Sequence, residues 1–190
     1  MQELNENFID NINYCREQEI KKVIIFIRTE KNVILLKDYL DKEKLDIEVI
    51  AVTFPSNEKM YIVNDEDDVE EFIPPASEGT KVKNLLESKD IKLVSGSLPF
   101  EGIVIPGVNY NPYKIIEQTF NLVHQGLGNL IQALLMATDK GEVYPDERVV
   151  VMNNVLAIDV SGTNTRLLFH PKDGLKINNI IQKKQATNPE

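Results

Sequence analysis

Residues 149–169 decide the fold, and they read VVVMNNVLAIDVSGTNTRLLF. Two apolar runs flank a polar turn that contains a glycine. The first run predicts a strand at 149–152 and the second predicts a strand at 165–170, with 156–160 as a further extended piece between them. The connections are too short for a helical crossover, so the final strand is expected to be antiparallel to its neighbour.

Upstream of this stretch, short apolar runs alternate with helical patterns. Continuous apolar runs such as 23–27 are typical of strands that a parallel sheet buries on both faces. Strands are predicted at 23–27, 47–53 and 91–95, and helices at 3–18, 33–41, 77–88 and 111–138, the last interrupted at 126–128. A strand–helix–strand order forms a right-handed crossover. We therefore expect an α/β fold of three layers, α/β/α, with a mostly parallel sheet and an antiparallel final strand.

The composition is that of one globular domain. The chain has 190 residues, of which 42% are hydrophobic and 27% charged, so it can bury a substantial core. We expect a single α/β domain over residues 1–182 and a frayed polar tail over 183–190. The net charge of −9 argues against a nucleic-acid or anionic-membrane partner, because both select clustered positive charge.

Cysteine content and the first residues bear on the cellular compartment. Cys15 is the single cysteine, so an intrachain disulfide is excluded. Residues 1–7 are acidic and polar, unlike a secretory signal peptide, and no apolar run approaches the ~20 residues that span a membrane. We expect a soluble cytoplasmic protein. Cys15 shares a helix face with Phe8 and Ile12, so a core position is a better interpretation than a reactive thiol.

An acidic insertion at 55–77 interrupts the regular pattern. Six carboxylates occur in the seven residues 65–71, and Pro74-Pro75 follow. A solvated surface loop is the preferred interpretation. A calcium loop of the EF-hand type is disfavoured because the run has no central glycine. A lid over a ligand stays open as an alternative, since long loops in compact domains often have a function.

Hydroxyl, amide and glycine residues follow the predicted parallel strands. Open parallel sheets bind ligands beyond the carboxyl ends of their strands, where helix N-termini add partial positive charge. The candidate ligand-binding residues at these ends are Arg28, Thr29, Lys31, Thr53, Ser95, Gly96, Ser97 and Asn153. Such groups suit phosphate oxygens, because the side chains donate hydrogen bonds and glycine allows close approach. The alternative that they only cap helices and close turns remains equally open for the set.

Motifs for catalysis or metal binding are weak. Gly126-Leu127-Gly128 is a lone Gly-x-Gly, which close packing explains as well as a phosphate would. His124 and His170 lack metal-ligand spacing to a second histidine or cysteine, so no metal site is predicted. Asp139 and Asp159 have no evident acid–base partner in the sequence. No catalytic residue is therefore assigned, and whether the protein is an enzyme stays open.

Several further motifs occur in a fixed order along the chain. They are the strand 23–27 with Arg28-Thr29 at its end, the run 50–53, Lys140-Gly141, the run 149–152 and Ser161-Gly-Thr-Asn-Thr-Arg-Leu167. Together they resemble the C-terminal domain of pyruvate kinase. Lys92-Leu-Val-Ser-Gly-Ser97, Gln125-Gly126 and the segment 135–141 resemble small stand-alone proteins of the pyruvate kinase alpha/beta-domain-like family.

This resemblance implies a three-layer α/β/α fold without kinase activity, since the phosphotransfer site of pyruvate kinase lies in a separate barrel domain. In many pyruvate kinases the C-terminal domain binds a sugar-bisphosphate effector through two glycine-rich or hydroxyl-rich loops. The first corresponds to 29–32, which has no glycine and includes Glu30. The second corresponds to the loop after Ser161, and it adds Gly162, Thr163, Asn164, Thr165 and Arg166 to the candidate ligand-binding residues.

Three functions remain as hypotheses. The first is a non-kinase domain that binds a small phosphorylated ligand, such as a sugar phosphate, a nucleotide or flavin mononucleotide (FMN), at the carboxyl ends of the strands. The second is a flavin- or nucleotide-dependent enzyme of unknown reaction, with the acidic loop as its lid. The third is a structural or assembly protein without a small ligand, in which the loop 99–110 is an interface and the chain forms a homo-oligomer.

Overall fold

The computed structural model describes residues 4–63, 68–102 and 110–181. The five helices in these ranges are α1 (Glu6–Glu17), α2 (Lys31–Lys42), α3 (Gly79–Glu87), α4 (Pro112–Val123) and α5 (Leu127–Asp139). The eight strands are β1 (Lys22–Phe26), β2 (Glu48–Thr53), β3 (Met60–Val63), β4 (Val69–Phe72), β5 (Lys92–Ser95), β6 (Arg148–Met152), β7 (Ala157–Ser161) and β8 (Lys176–Ile181).

Six of these strands form one mixed sheet. Their order is β5-β2-β1-β6-β7-β8, and the first four are parallel to one another. β7 runs antiparallel to β6, and β8 runs antiparallel to β7. The mostly parallel sheet is therefore confirmed. We call the edge of the sheet where β1, β2, β5 and β6 end the carboxyl edge, and the edge where they begin the amino edge.

Helices cover both faces of the sheet and give the three layers. On one face, α5 is almost completely buried, and α4 packs against it through Ile116 and Phe120. On the other face, α1, α2 and α3 contribute a second core that includes Phe8, Leu36 and Leu86. The continuous apolar runs of β1, β2 and β6 are buried because both of their faces meet a helical layer.

The end of the sheet differs from the sequence-based expectation. The strand predicted at 165–170 is wrong: Thr165–Leu167 is a 3-10 turn, capped by the Asn164 side chain, which accepts a hydrogen bond from the Leu167 amide. The final strand is β8, whose Lys-Ile-Asn-Asn-Ile-Ile sequence lies at an exposed edge. The extended piece predicted at 156–160 is a full strand, β7, and it supplies the antiparallel neighbour of β6.

The acidic insertion is also more ordered than a plain loop. Met60–Val63 and Val69–Phe72 form an antiparallel hairpin with Tyr61 opposite Glu71, and a 3-10 turn follows at Pro75–Ser77. Residues 65–67 of the acidic run lie outside the described part of the chain, as do residues 103–109 of the loop 99–110 and the predicted tail at 183–190.

Cys15 lies in the core, as its position on the helix predicts. The side chain is completely buried beside the other core residues of α1. Burial, assisted by the nearby Asp159 carboxylate, raises the pKa of the Cys15 thiol to about 12. At neutral pH this thiol is therefore protonated and is a poor nucleophile. No helix in the described residues is long and apolar enough to cross a membrane.

Candidate functional site

The strand order creates a crevice at the carboxyl edge. From β1 the chain passes through α2 to β2 on one side, whereas β6 pairs with β1 on the other side. The loops that follow β1 and β6 therefore leave the sheet in different directions. Ligands of open α/β sheets bind at this kind of topological switch point.

A pocket of about 510 Å³ occupies the crevice, and we call it the carboxyl-edge pocket. Its apolar lining consists of Ile25, Phe26, Ile27, Phe54, Met60, Leu98 and Val155. Its polar lining consists of Arg28, Thr29, Asn32, Glu101, Asn129, Asn153 and Asn154. The volume lies within the range of small-molecule sites, which is roughly 300–1,000 Å³.

Side-chain amides join the loops that form the polar side. The Asn32 amide nitrogen donates a hydrogen bond of 2.8 Å to the Asn154 side-chain oxygen. The Asn153 side-chain oxygen accepts hydrogen bonds from the backbone amides of Val155 and Leu156, at 2.8 and 2.9 Å. Asn153 therefore holds the turn after β6, while the Asn32–Asn154 pair connects that turn to the start of α2.

Two helices begin at this pocket. Asn32 lies in the first turn of α2, and Asn129 lies in the first turn of α5, so both N-termini face the same crevice. Gly126 precedes α5 with φ +86°, a backbone conformation that suits glycine, and packs beside Asn153. Helix N-termini carry partial positive charge, which favours a negatively charged ligand group. At α5 the Leu127 and Gly128 amides already donate to the His124 carbonyl and the Asn121 side chain, so the partial charge is the contribution of this helix.

The charged groups of the pocket are Arg28 and Glu101. Arg28 is exposed, and within residues 4–63, 68–102 and 110–181 no carboxylate forms an ion pair with it. Glu101 is also exposed and lies 3.7 Å from the Lys114 ammonium. The Arg28 carbonyl accepts a hydrogen bond from the Ala76 amide, which fixes the chain after the β3–β4 hairpin beside the pocket.

An aromatic pair forms part of the apolar side. The rings of Phe26 and Phe54 meet edge to face, with centroids 5.0 Å apart and planes at 79°. Met60, at the base of the β3–β4 hairpin, and Leu98 complete this side. The pocket thus offers an apolar surface to one part of a ligand and amides with an arginine to another part.

The eight candidate ligand-binding residues that the sequence predicts at the ends of the parallel strands all lie at the carboxyl edge. Only three of them line the carboxyl-edge pocket. These are Arg28, Thr29 and Asn153. Thr53 is completely buried and donates a hydrogen bond to the Ile27 carbonyl, and Ser95 donates one to the Phe54 carbonyl. These two hydroxyls brace the strand ends. Lys31, Gly96 and Ser97 lie nearby outside the lining.

The loop after β7 lies at the opposite edge of the sheet. Because β7 is antiparallel, Ser161 pairs with Arg148, the first residue of β6. Gly162–Arg166 are therefore at the amino edge, and the structure does not bring them together with the carboxyl-edge pocket. Two separate groups of candidate residues result.

Internal contacts explain most of this second group. A Cβ on Gly162 would lie 2.4 Å from the Tyr144 carbonyl oxygen, so close packing requires the glycine. The buried Thr163 hydroxyl donates to the Asp173 carbonyl, and the Asn164 side chain caps the 3-10 turn. Thr165 donates hydrogen bonds from its amide and hydroxyl to the Asp139 carboxylate. The polar atoms expected to hold an anion thus stabilise the fold, and Asp139 adds negative charge there.

Sequence reasoning missed several lining residues of the pocket. Phe54, Met60, Leu98 and Glu101 follow strands or belong to the insertion, and no local pattern distinguishes them. Asn129 follows the Gly126-Leu127-Gly128 motif, which does mark a helix start at the pocket. A Cβ on Gly128 would lie 2.6 Å from the Glu117 Cγ atom, so Gly128 itself allows α4 and α5 to pack closely.

The sequence showed no evident partner for Asp159, but in the structure this residue has charged and polar partners. This fully buried carboxylate accepts hydrogen bonds from Arg148, from the Tyr14 hydroxyl at 2.8 Å and from the Asn178 amide at 3.0 Å. Burial alone would raise the pKa of Asp159, but the hydrogen bonds from Arg148, Asn178 and Tyr14 outweigh burial and lower it. The network connects α1 to β6, β7 and β8, and its residues are not among the described lining residues of the pocket.

Comparisons with known proteins include a distant structural similarity. No family model matches the chain. Among solved structures, the crystal structure of Cryptosporidium parvum pyruvate kinase aligns with 82% of this chain at 12% sequence identity and a TM-score of 0.38. The alignment covers 21% of that chain, so the present chain spans about a fifth of its length. Membership in the stand-alone alpha/beta-domain family stays a prediction.

Proposed function

We propose that the protein binds a small phosphorylated molecule in the carboxyl-edge pocket. The observation that carries the proposal is the position of Arg28, exposed and without a carboxylate partner among the described residues, at a crevice where α2 and α5 both begin. An arginine can donate paired hydrogen bonds to phosphate oxygens, and the helix N-termini add favourable potential. The phosphate is expected at this polar side.

The polar residues around Arg28 suit a phosphate group. Thr29 and Asn32 can donate hydrogen bonds from side chains next to the α2 N-terminus. Asn153 uses its side-chain oxygen within the turn after β6, which leaves its amide nitrogen as the group to donate. Asn129 adds a further amide from the first turn of α5.

The apolar side favours a nucleotide or FMN over a sugar phosphate. Phe26, Phe54 and Leu98 provide a surface that a flat ring can cover, whereas the hydroxyls of a sugar would lose hydrogen bonds to water there. Glu101 is an acceptor for ribityl or ribose hydroxyls, or for an exocyclic amine. A ring on the apolar side and a phosphate at Arg28 would together use both parts of the pocket.

The ionisable groups among the described lining residues are Arg28 and Glu101, without a histidine, cysteine or lysine. A guanidinium and a carboxylate suit the recognition of a ligand. We therefore propose that the pocket binds a ligand, and we assign no reaction to the protein. The predicted lid role of the 55–77 insertion, the homo-oligomer, the lack of a nucleic-acid partner and the cytoplasmic location stay predictions.

A ligand panel tests the proposal. Isothermal titration calorimetry with FMN, adenosine monophosphate and fructose 1,6-bisphosphate should show saturable binding for at least one of the first two. Riboflavin and adenosine are the matched controls, because they keep the ring and lose the phosphate, and they should bind at least ten-fold more weakly. Absence of binding by all three phosphorylated compounds would refute the proposal.

A further inference from the structure

A second cavity lies between α4 and the segment after β7, and we call it the α4 pocket. Its volume is about 470 Å³. Its apolar lining consists of Phe100, Tyr113, Ile116, Leu168, Phe169 and Pro171. Among the residues that the structure describes, it shares no lining residue with the carboxyl-edge pocket. The volume and the apolar character are those of a small-molecule site.

Part of this lining is buried and part is open to solvent. Phe100 and Leu168 are 2% and 7% exposed, so they form a fixed inner surface. Tyr113 and Phe169 are 53% and 71% exposed, so they stand at the opening. Phe100 also stacks with Phe120 of α4, with ring centroids 6.1 Å apart. The two exposed aromatic side chains extend the buried apolar surface toward solvent, where an apolar ligand could cover them.

Two side chains that bear nitrogen donors, Arg166 and His170, line the same cavity. Arg166 is exposed, and in the described part of the chain it takes part in no ion pair. His170 accepts hydrogen bonds at its Nδ1 atom from the backbone amides of Lys172 and Asp173. These contacts leave Nε2 as the ring nitrogen that can meet another group.

Each of the two carboxylates close to these groups already has a partner in the fold. Asp139 accepts both hydrogen bonds of Thr165, and Asp173 lies 3.1 Å from the Nδ1 side of the His170 ring. The Arg166 guanidinium and the Nε2 atom of His170 are thus the polar groups left beside the apolar cavity. A ligand that matches both features has one anionic group and one apolar part.

From this arrangement we infer that the α4 pocket binds an amphipathic carboxylate, a small molecule with an alkyl or aryl body and a single carboxylate. The apolar body lies against Phe100, Ile116 and Leu168. The carboxylate accepts hydrogen bonds from Arg166 and from the Nε2 atom of His170. This inference does not depend on the proposed function, because the two pockets are separate.

Octanoate is the probe, and a single tryptophan is the reporter. The chain has no tryptophan, and Tyr113 is half exposed at the opening, so Tyr113→Trp introduces one fluorophore at the cavity. Octanoate should change its fluorescence in a saturable way. 1-Octanol, which has the same chain without the charge, should bind roughly ten-fold more weakly, because it forms no charge-assisted hydrogen bond with Arg166.

A pair of matched variants separates the pocket from general charge effects. Arg166→Gln should weaken octanoate binding about ten-fold. Arg16→Gln makes the same substitution at an exposed position of α1, on the other face of the sheet, and should leave octanoate binding unchanged. Should Tyr113→Trp fail to fold by circular dichroism, Phe169→Trp supplies the reporter from the other side of the opening.

Three results would overturn the inference. They are the absence of a saturable signal with octanoate, equal affinities for octanoate and 1-octanol, and unchanged affinity in Arg166→Gln. Sedimentation velocity gives an independent test of the competing occupant. A stable dimer that is weakened by Phe169→Ser in the absence of any carboxylate would show that a second copy covers this surface, which would also overturn the inference.

Discussion

The Asn32 side chain donates a hydrogen bond of 2.8 Å to the side chain of Asn154, across 122 positions in the sequence. The bond connects the first turn of α2 with the turn after β6, which are the two walls of the crevice. Asn154 also accepts a hydrogen bond from Asn7 through its carbonyl, so three segments meet at this point. The geometry of the proposed ligand site therefore depends on a contact between two side chains that no sequence motif indicates.

We expect the Asn32–Asn154 pair to shape the pocket more than it stabilises the fold. A neutral hydrogen bond between exposed side chains contributes at most about 1 kcal/mol to the free energy of unfolding. Urea unfolding of Asn32→Ala, Asn154→Ala and the double variant should therefore give a coupling free energy of about 0.5–1 kcal/mol. Strictly additive single effects would show that the two amides do not interact in solution.

Gly162 is expected to be required for packing. Gly162→Ala would place a methyl group 2.4 Å from the Tyr144 carbonyl oxygen and 2.9 Å from Val143, so it should lower the free energy of unfolding by about 2–4 kcal/mol. Gly96→Ala is the matched control, because its Cβ would meet only the Met136 side chain, at 4.0 Å. Urea denaturation should separate the two variants by at least 1 kcal/mol, and equal stabilities would contradict the packing role.

The buried Asp159 network should make the fold sensitive to acid. The pKa of Asp159 in the folded state is below its ordinary value of 3.8. The ionised carboxylate therefore stabilises the fold fully above pH 3.8, and this stabilisation is lost as the pH falls through the lower folded-state pKa. Asp159→Asn should cost about 1–3 kcal/mol at pH 7, because it weakens the charged hydrogen bonds with Arg148. It should also flatten the decline in stability below pH 4.

Asp46→Asn is the control for this pH dependence. Asp46 is an exposed carboxylate before β2, and its neutralisation should leave both the stability at pH 7 and its decline in acid close to those of the unmodified chain. Denaturant midpoints measured between pH 2 and pH 7 give the comparison. An acid profile of Asp159→Asn that parallels the unmodified one would argue against a stabilising role for the ionised carboxylate.

The inner part of the fold could be predicted because its physical signal is local. β1, β2 and β6 are continuous apolar runs, and such runs need cover on both faces, which implies a parallel sheet between helical layers. Asn followed by Pro is a local signal for a helix start, and α4 begins at Pro112, where the Asn111 side chain accepts a hydrogen bond from the Tyr113 amide. These signals need only neighbours in the sequence.

The outer part could not be predicted for the opposite reason. β8 is an exposed strand with two asparagines, and pairing with β7 stabilises it despite that composition. The direction of β7 also places Gly162–Arg166 at the amino edge, so an error in one strand displaced five candidate residues from the pocket. The wall residues Leu98 and Glu101 reach the pocket through tertiary packing, which sequence spacing does not reveal.

The most direct test of the central claim compares two charge-removing variants three residues apart. Arg28→Gln removes the guanidinium at the carboxyl-edge pocket, whereas Lys31→Gln removes an equal charge from an exposed residue outside its lining. Calorimetric titration with the phosphorylated compound that binds the unmodified chain should show a 10- to 100-fold weaker affinity for Arg28→Gln and less than a three-fold change for Lys31→Gln. Equal affinities of the unmodified chain and Arg28→Gln would contradict a phosphate site at this pocket.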